Sequence, residues 1–372
     1  MQRFAFIIHP IDVRRDVGRK YPVARYLPEK WVEAALPFKS PMPVARITGV
    51  RSEGTGEELE GWFIACPMTP RQLLGFPAER VYEKLVQCGK IAEDLGANII
   101  GLGALTSVAG DGGVSVAKRL NIAVTTGNSY TVATAVEGAK RGAALMDTPI
   151  NEATVAIVGA AGSIGRTSAL LLGPDVARIV LIGRNPEKLE SVASEVKARN
   201  SNVSITADVA EGLKNADVIV TVTSAVDAVI LPEHLKRGAV ICDVARPRDV
   251  SVRVSKERQD VLVIEGGMVA IPGEMRLPFC DRTGQEKPGG QFSFGFPPGT
   301  AYACMSETMM LALDNRHESF TLGKEVSVAQ AEETQKLAQK HGFRLAGFRS
   351  FERAVTDEHI ASVRRAAGKK PK

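Results

Sequence analysis

The chain has 372 residues, of which 44% are hydrophobic and 24% charged, with a formal net charge of +5. That length makes about two domains, and the ordinary composition excludes fibrous and fully disordered classes. The charge is too small and too dispersed to argue for nucleic acid, although a modest positive balance suits an acidic substrate or carrier.

No apolar run reaches the length of a membrane span, and the opening MQRFAFIIHP has no cleavage site, so a cytoplasmic protein is expected. The five cysteines, Cys66, Cys88, Cys242, Cys280 and Cys304, are odd in number and form no CxxC pair. Neither a disulfide framework nor a zinc site is expected, and no metal.

FAFIIHP near residue 4 has the pattern of a buried strand, and a polar, Pro-rich stretch follows to residue 44. ARITGV and GWFIACP are further strands, separated by the acidic turn SEGTGEELE. Over 78–95, Val81, Leu85, Cys88 and Ile91 recur at helical spacing and Gly96 supplies the stop. NIIGLGALTSV is an apolar strand with a Gly-rich turn, then come a short helix, the strand NIAVTTGNS and the helix TVATAVEGAKRGAALM. The strand ends carry Thr106, Ser107, Thr125, Thr126, Asn128 and Ser129. Carboxyl ends of strands in open α/β sheets are where ligands sit, while the same residues also serve as ordinary caps and turn formers.

At 154 the chain runs TVAIVGAAGSIGRTSALLL, an apolar strand that feeds Gly159, Gly162 and Gly165 and opens a helix. Gly159 permits the tight turn, Gly162 lets backbone approach a pyrophosphate, and Gly165 lets the helix pack on the strand. Free N–H groups at the helix start, from Ala160 through Ser163 and Ile164, favour a phosphate there. A second strand, ARIVLIGRN, completes a βαβ unit of about thirty residues. Where an NAD-selective form would place an acid, this strand ends in Gly183, Arg184 and Asn185. A guanidinium at the 2′-phosphate position points to NADP(H).

The strands VSITADV, ADVIVTVTSA, GAVICDVA and VLVIEGG are nearly continuous apolar runs, the pattern of a doubly wound parallel sheet. Thr223 and Ser224 end the fourth strand, on the nicotinamide side of such a fold. Asp243, Arg246 and Pro247, then Gly266 and Gly267, mark the next strand ends. Past 270, LPFCDRTGQEKPGGQFSFGFPPGT predicts a loop of about thirty residues, a length that is usually functional or disordered. It ends at Thr300, a plausible N-cap, and the helix AYACMSETMMLAL carries Cys304 in its first turns. The helix dipole there favours a thiolate, the nucleophilic form; a small buried hydrophobe is the alternative use of the same thiol.

These segments resemble the cyanobacterial long-chain fatty acyl-(acyl carrier protein) reductases over most of the chain. The resemblance is carried by FAFIIHP with His9, LGALTSV with Ser107, AVTTGNSYT with Asn128, ATVAIVGAAGSIG, VLIGRNPEKLE, DVIVTVTSA, LVIEGGMV, YACMSE, FTLGKEVSV and QKHGF around His341. It implies that Cys304 takes an acyl group from a carrier thioester and that NADPH reduces it to a fatty aldehyde, with Ser107, Asn128 or backbone N–H groups holding the oxyanion. His9 and His341 are lesser candidates as proton donors. The loop before Cys304 is longer here by about ten residues and the segment after Gly267 matches poorly, which leaves the acyl group open.

The expected organisation is an N-terminal α/β substrate domain (1–148), an NADP-binding Rossmann domain (149–300), and C-terminal helices (301–372) packing back on the first, ending in the basic, disordered tail RRAAGKKPK. Three functions compete. One is an acyl-thioester reductase fed by acyl carrier protein or acyl-coenzyme A. The second is an NADP-dependent dehydrogenase of the shikimate or quinate kind, which needs a Lys–Asp pair that the N-terminal half does not offer, Lys118 and Lys140 lying on apparent helix faces. The third is a non-catalytic NADP(H)-binding protein. A homo-oligomer is compatible with all three.

Overall fold

The computed structural model describes residues 1–18 and 21–370. In chain order its main elements begin with β1 (Gln2–Ile8), β2 (Met42–Arg51), β3 (Glu58–Ala65), α1 (Ala78–Asp94), β4 (Ile99–Gly101) and β5 (Ala123–Thr125). Then come α2 (Asn128–Leu145), β6 (Thr154–Val158), α3 (Ser163–Leu172), β7 (Arg178–Ile182), α4 (Pro186–Lys197), β8 (Val203–Thr206), β9 (Val218–Thr221), β10 (Val240–Asp243) and β11 (Leu262–Glu265). The chain closes with β12 (Gly273–Arg276), β13 (Pro278–Cys280), β14 (Glu286–Gln291), α5 (Ala303–Leu313) and α6 (Asp357–Ala366).

Two compact units result, of mixed α/β class. The first is built from 1–127, 270–324 and 336–344, and the second from 128–269, 325–335 and 345–372. This corrects the expected boundaries in three places, one being that 325–335 and 345–372, expected to pack back on the first domain, belong to the second unit. The helix expected at 131–146 begins at Asn128 and belongs with the Rossmann strands, because Ala135, Ala139 and Ala143 pack into their core. A Cβ at Gly142 would lie 2.7 Å from Val240, so small residues let this helix approach the sheet closely.

The third correction concerns the segment after 270, expected as a loop of the Rossmann domain. It forms β12, β13 and β14, which extend the sheet of the first unit. That sheet runs β14-β13-β2-β3-β1-β4-β5, with β12 also on β2. Its β3, β1, β4 and β5 are mutually parallel, and their carboxyl ends lie on one edge. On one face of it α1 buries Val81, Leu85, Cys88 and Ala92 against Ile7, Ile64 and Ile100. Gly96, at φ 76°, ends α1 in the left-handed conformation that favours glycine.

The second unit is a parallel sheet in the order β11-β10-β9-β6-β7-β8. Side chains alternate between two cores: Val155, Ile157, Ile179 and Leu181 on one face, Ala156, Val158, Val180 and Ile182 on the other. Burial on both faces is why β6, β7, β9, β10 and β11 show nearly unbroken apolar runs. The order reverses between β6 and β9, the switch point at which doubly wound folds bind ligands.

The tail expected to be disordered instead folds as α6 through 366, and residues 371–372 lie outside the described residues. Buried Arg364 orders it by donating to Leu145 O at 3.0 Å and pairing with Asp147, which satisfies a carbonyl at the end of α2.

Candidate functional site

In the second unit, β6 delivers the chain to Gly159 at φ 87°, a conformation that other residues resist. A Cβ there would lie 3.1 Å from the Val222 carbonyl at the end of β9, and one at Gly165 would lie 2.3 Å from Gly159 O. Both glycines are therefore sterically required. Gly162 is the N-cap of α3 and supplies no side-chain cap, so the first N–H groups of the helix, from Ser163 through Gly165, have no capping side chain. Ala160 is fully buried and its N–H goes to Ile182 O at 3.1 Å, so it shapes the turn.

Arg184 follows β7, is exposed, and makes no side-chain hydrogen bond or ion pair among the described residues. Asn185 is differently engaged: its Oδ1 accepts from Lys188 N at 2.9 Å and caps α4. Thr223 donates to Asp249 Oδ1 at 2.5 Å through its hydroxyl and to Oδ2 at 2.9 Å through its N–H. Ser224 beside it is exposed. Burial raises the Asp249 carboxyl above the usual range while the Thr221 and Thr223 hydroxyls oppose the shift. Asp243, one strand over, is pushed up to about 6 by burial, with Arg246 opposing, and accepts from Ala245 N and Val250 N, each at 3.1 Å. Asp249 was not legible as a site residue, since nothing local marks it.

The first unit assembles a thiol site from distant segments. Cys304 is the second residue of α5, whose N-cap is Tyr302 rather than Thr300; Thr300 donates its hydroxyl to Pro297 O at 2.7 Å. Four of the five thiols are buried and Cys304 is half-buried. Backbone N–H groups of Ala104, Met305 and Cys304 itself pull the thiol's pKa down. Yet burial and the Glu307 carboxylate outweigh them, and the thiol is pushed up to about 12. The expected dipole-favoured thiolate is thus corrected: desolvation of the charged form exceeds what the helix start supplies.

Ala104 owes its position to a strained turn at φ 48°, uncommon for a residue with a Cβ. The Thr106 hydroxyl accepts from Gly103 N at 2.9 Å and donates to Gly103 O at 2.8 Å, and the Ser107 hydroxyl donates to Ala104 O at 2.7 Å. Ser107, expected as an oxyanion donor, spends its proton on holding this turn. Gly127, at φ 74°, would place a Cβ 2.4 Å from Cys304 Cα, which is what the glycine of TTGN provides. Asn128, the next residue, is buried and opens α2 in the second unit.

Glu307, one turn beyond Cys304 and fully buried, is the residue that sequence reasoning passed over. Its Oε1 accepts from Thr125 at 2.6 Å and Thr321 at 3.0 Å, while Thr126 donates to Thr321 O at 2.5 Å. These bonds fix α5 to the end of β5. The acid of ACxxE was its only signal. Of the histidines, His9 follows β1 and is lowered to about 4 by burial, so it is neutral at pH 7. His341 is buried with Nδ1 2.9 Å from Ser52 Oγ and Nε2 3.4 Å from Asp314, a structural placement.

Comparison with known proteins follows the division into units. Residues 142–265 match the model of the Shikimate / quinate 5-dehydrogenase family, a stretch that lies within the second unit. The chain is similar to the aminotransferase PigE of Serratia sp., at 29% identity over 98% of this chain but 42% of that protein, so it spans under half of that relative. It is also similar to the long-chain acyl-[acyl-carrier-protein] reductase of Synechococcus elongatus, at 25% identity over 90% of this chain and 95% of that one. Among solved structures, glutamyl-tRNA reductase from Methanopyrus kandleri superposes at a TM-score of 0.29, with 22% identity over 50% of this chain and 45% of that one. The second unit, with its glycine cradle at the switch point, is an NAD(P)(H)-binding Rossmann domain.

Proposed function

We propose that the protein is an NADP(H)-dependent oxidoreductase that draws an acyl group from a thioester onto Cys304 and releases it as an aldehyde. The observation that carries this reading is the Cys304 environment: a half-buried cysteine in the first turn of a helix without a side-chain cap, where the backbone N–H groups of Ala104, Met305 and Cys304 itself favour the thiolate. The likeness to the Synechococcus reductase across nearly the whole of both chains supports the thioester class. Acyl carrier protein and acyl-coenzyme A present the same reacting group, and either would serve as donor.

Cys304 Sγ attacks the thioester carbonyl, forming a new S–C bond as the donor's C–S bond breaks, and the thiol proton ends on the departing thiol. Ala104 N–H and Met305 N–H, which favour negative charge on the sulfur, would hold the oxygen as it becomes negative. NADPH, when bound, supplies a hydride, so that acyl thioester, NADPH and a proton become aldehyde, free thiol and NADP+. Loss of the aldehyde regenerates Cys304. Gly159, Gly162, Gly165, Ser163, Ile164, Thr223 and Ser224 would hold the dinucleotide, and Arg184 its 2′-phosphate.

The dehydrogenase reading is favoured by the family match within the Rossmann domain. Lys140, however, pairs with Asp175 at 2.6 Å on the surface, the role of a solvated helix face. One experiment separates the readings. Incubation with octanoyl-coenzyme A without NADPH is expected to add one octanoyl group at Cys304 by intact mass and peptide mapping. No adduct, together with NADP-dependent oxidation of a cyclic hydroxy acid, would overturn the proposal for the dehydrogenase.

A further inference from the structure

Between β1 and β2 the chain makes short helical segments, Val13–Val17, Pro22–Arg25, Glu29–Ala35 and Leu36–Phe38, with a small core of Val13, Ala24 and Val32 among them. Seven of the thirteen exposed large hydrophobic side chains among the described residues lie here, between Ile11 and Phe38. Tyr26 is 87% exposed, Phe38 83%, Trp31 69% and Val23 63%, so these side chains project from the surface. None of the three rings meets another ring or a cation among the described residues. Apolar groups thus point both into the small core and out to water, the arrangement of a segment with a second surface to cover.

The charge of the same stretch is lopsided. Over 11–39 there are seven Lys and Arg against four Asp and Glu, a net +3 within a chain of +5. Three of the four acids are engaged locally: Asp16 accepts from Ile11 N at 2.9 Å and Asp12 N at 3.0 Å, Asp12 from Arg15 N at 2.8 Å, and Glu33 from the Thr69 hydroxyl at 2.6 Å. The exposed cations Arg14, Arg25, Lys30 and Lys39 make no side-chain hydrogen bond or ion pair among the described residues. Projecting rings interleaved with unengaged cations match an anionic bilayer surface, where rings settle at headgroup depth and long basic side chains reach the phosphates. A second copy fits worse, since a two-fold pairing would set these cations against their own counterparts. A protein partner would need a matching recess for each projecting ring, whereas fluid lipid takes them without one.

We propose that the 11–39 segment is a peripheral membrane-binding surface: Val23, Tyr26, Trp31 and Phe38 enter the interface of an anionic bilayer, and Arg25, Lys30 and Lys39 meet its phosphates. The surface lies on the bilayer and does not cross it, as no helix of the described residues is long and apolar enough to span one. It uses no residue of the dinucleotide cradle or of the thiol site, and it does not depend on the acyl-thioester reading. Two contributions of different kind combine. Each ring that is fully seated tightens binding by about tenfold or more, and each cation by about fivefold. Salt screens only the second.

The test uses the full chain and phosphatidylcholine vesicles with or without phosphatidylglycerol, read by flotation. Binding is expected to the mixed vesicles and should weaken as salt rises. Tyr26→Ser/Phe38→Ser is expected to lower the partition coefficient by about tenfold or more per ring, and Lys30→Gln/Lys39→Gln by about fivefold per charge. All four side chains are exposed, so the melting temperature of either variant should stay near that of the unsubstituted protein. Trp31 supplies a second readout, because the other tryptophan, Trp62, is buried and donates to Gly284 O at 3.0 Å. A blue shift on adding mixed vesicles, and quenching by brominated lipid, should both vanish in Trp31→Phe while flotation persists. Absence of flotation, or flotation that neither double variant reduces, overturns the proposal. Equal flotation with and without phosphatidylglycerol overturns the role of the cations. Self-association in sedimentation that Tyr26→Ser/Phe38→Ser abolishes, with no flotation, overturns the membrane in favour of a second copy.

Discussion

The dinucleotide cradle and the thiol site are made of different material. The cradle is backbone from one short run, Gly159 to Gly165, with φ and close approach deciding which residues fit. The thiol site gathers Ala104, Thr125, Gly127, Cys304, Glu307 and Thr321 from segments far apart in the chain, held by hydroxyl-to-carboxylate bonds. A backbone site fails sterically when altered. A side-chain site shifts its electrostatics first, because its charge balance is set by burial against a few donors. The two sites should therefore respond in separable ways.

The largest separation is expected from Cys304→Ser. An oxygen ester is a poorer hydride acceptor than a thioester, so aldehyde formation should fall by about a thousandfold or more. NADPH titration by fluorescence should be unaltered. Retained aldehyde formation would break the division of labour between the sites.

Next is Arg184→Ala, which on the proposed reading would remove a charge-assisted phosphate contact of about 1.5–3 kcal/mol. NADPH affinity should drop by about 10- to 150-fold with NADH affinity nearly constant, as read by parallel titrations. Equal losses for the two cofactors would remove Arg184 from the 2′-phosphate.

The third effect is a slope. With the Cys304 thiol pushed up to about 12, its thiolate fraction rises about tenfold per pH unit across the neutral range. Iodoacetamide alkylation of Cys304, followed by peptide mass, should climb with pH and show no plateau below about pH 10. A plateau near neutrality would mean that the helix start outweighs burial after all.

The smallest effect sharpens the same point. Glu307→Gln removes a negative charge that raises the Cys304 thiol, so alkylation at fixed pH should quicken by about threefold. Slower alkylation would assign Glu307 to holding the helix rather than to setting the charge balance.

How far each site was legible follows from how it is built. The Rossmann class, its buried strands and the cradle showed in the sequence because backbone geometry admits only glycine at 159 and 165 and because strands covered on both faces must be apolar throughout. Cys304 and the TTGN turn were visible as residues, and Gly127 explains the turn by its contact with Cys304. Three things stayed hidden. The segment 273–291 pairs with β2, more than two hundred positions away in the chain, so its Gly- and Pro-rich composition suggested a loop. Arg364 orders the C-terminal helix through carbonyls of α2, which no local charge pattern announces. The protonation of Cys304 depends on the dielectric around it, and burial is a property of packing.

The sequence alone thus determined the parallel Rossmann fold and the dinucleotide cradle, both fixed by local sterics or periodicity. Only the tertiary structure decided that Gly127 lies against Cys304 and that Glu307 ties α5 to β5. Both relations join residues more than 170 positions apart in the chain, which meet only on folding.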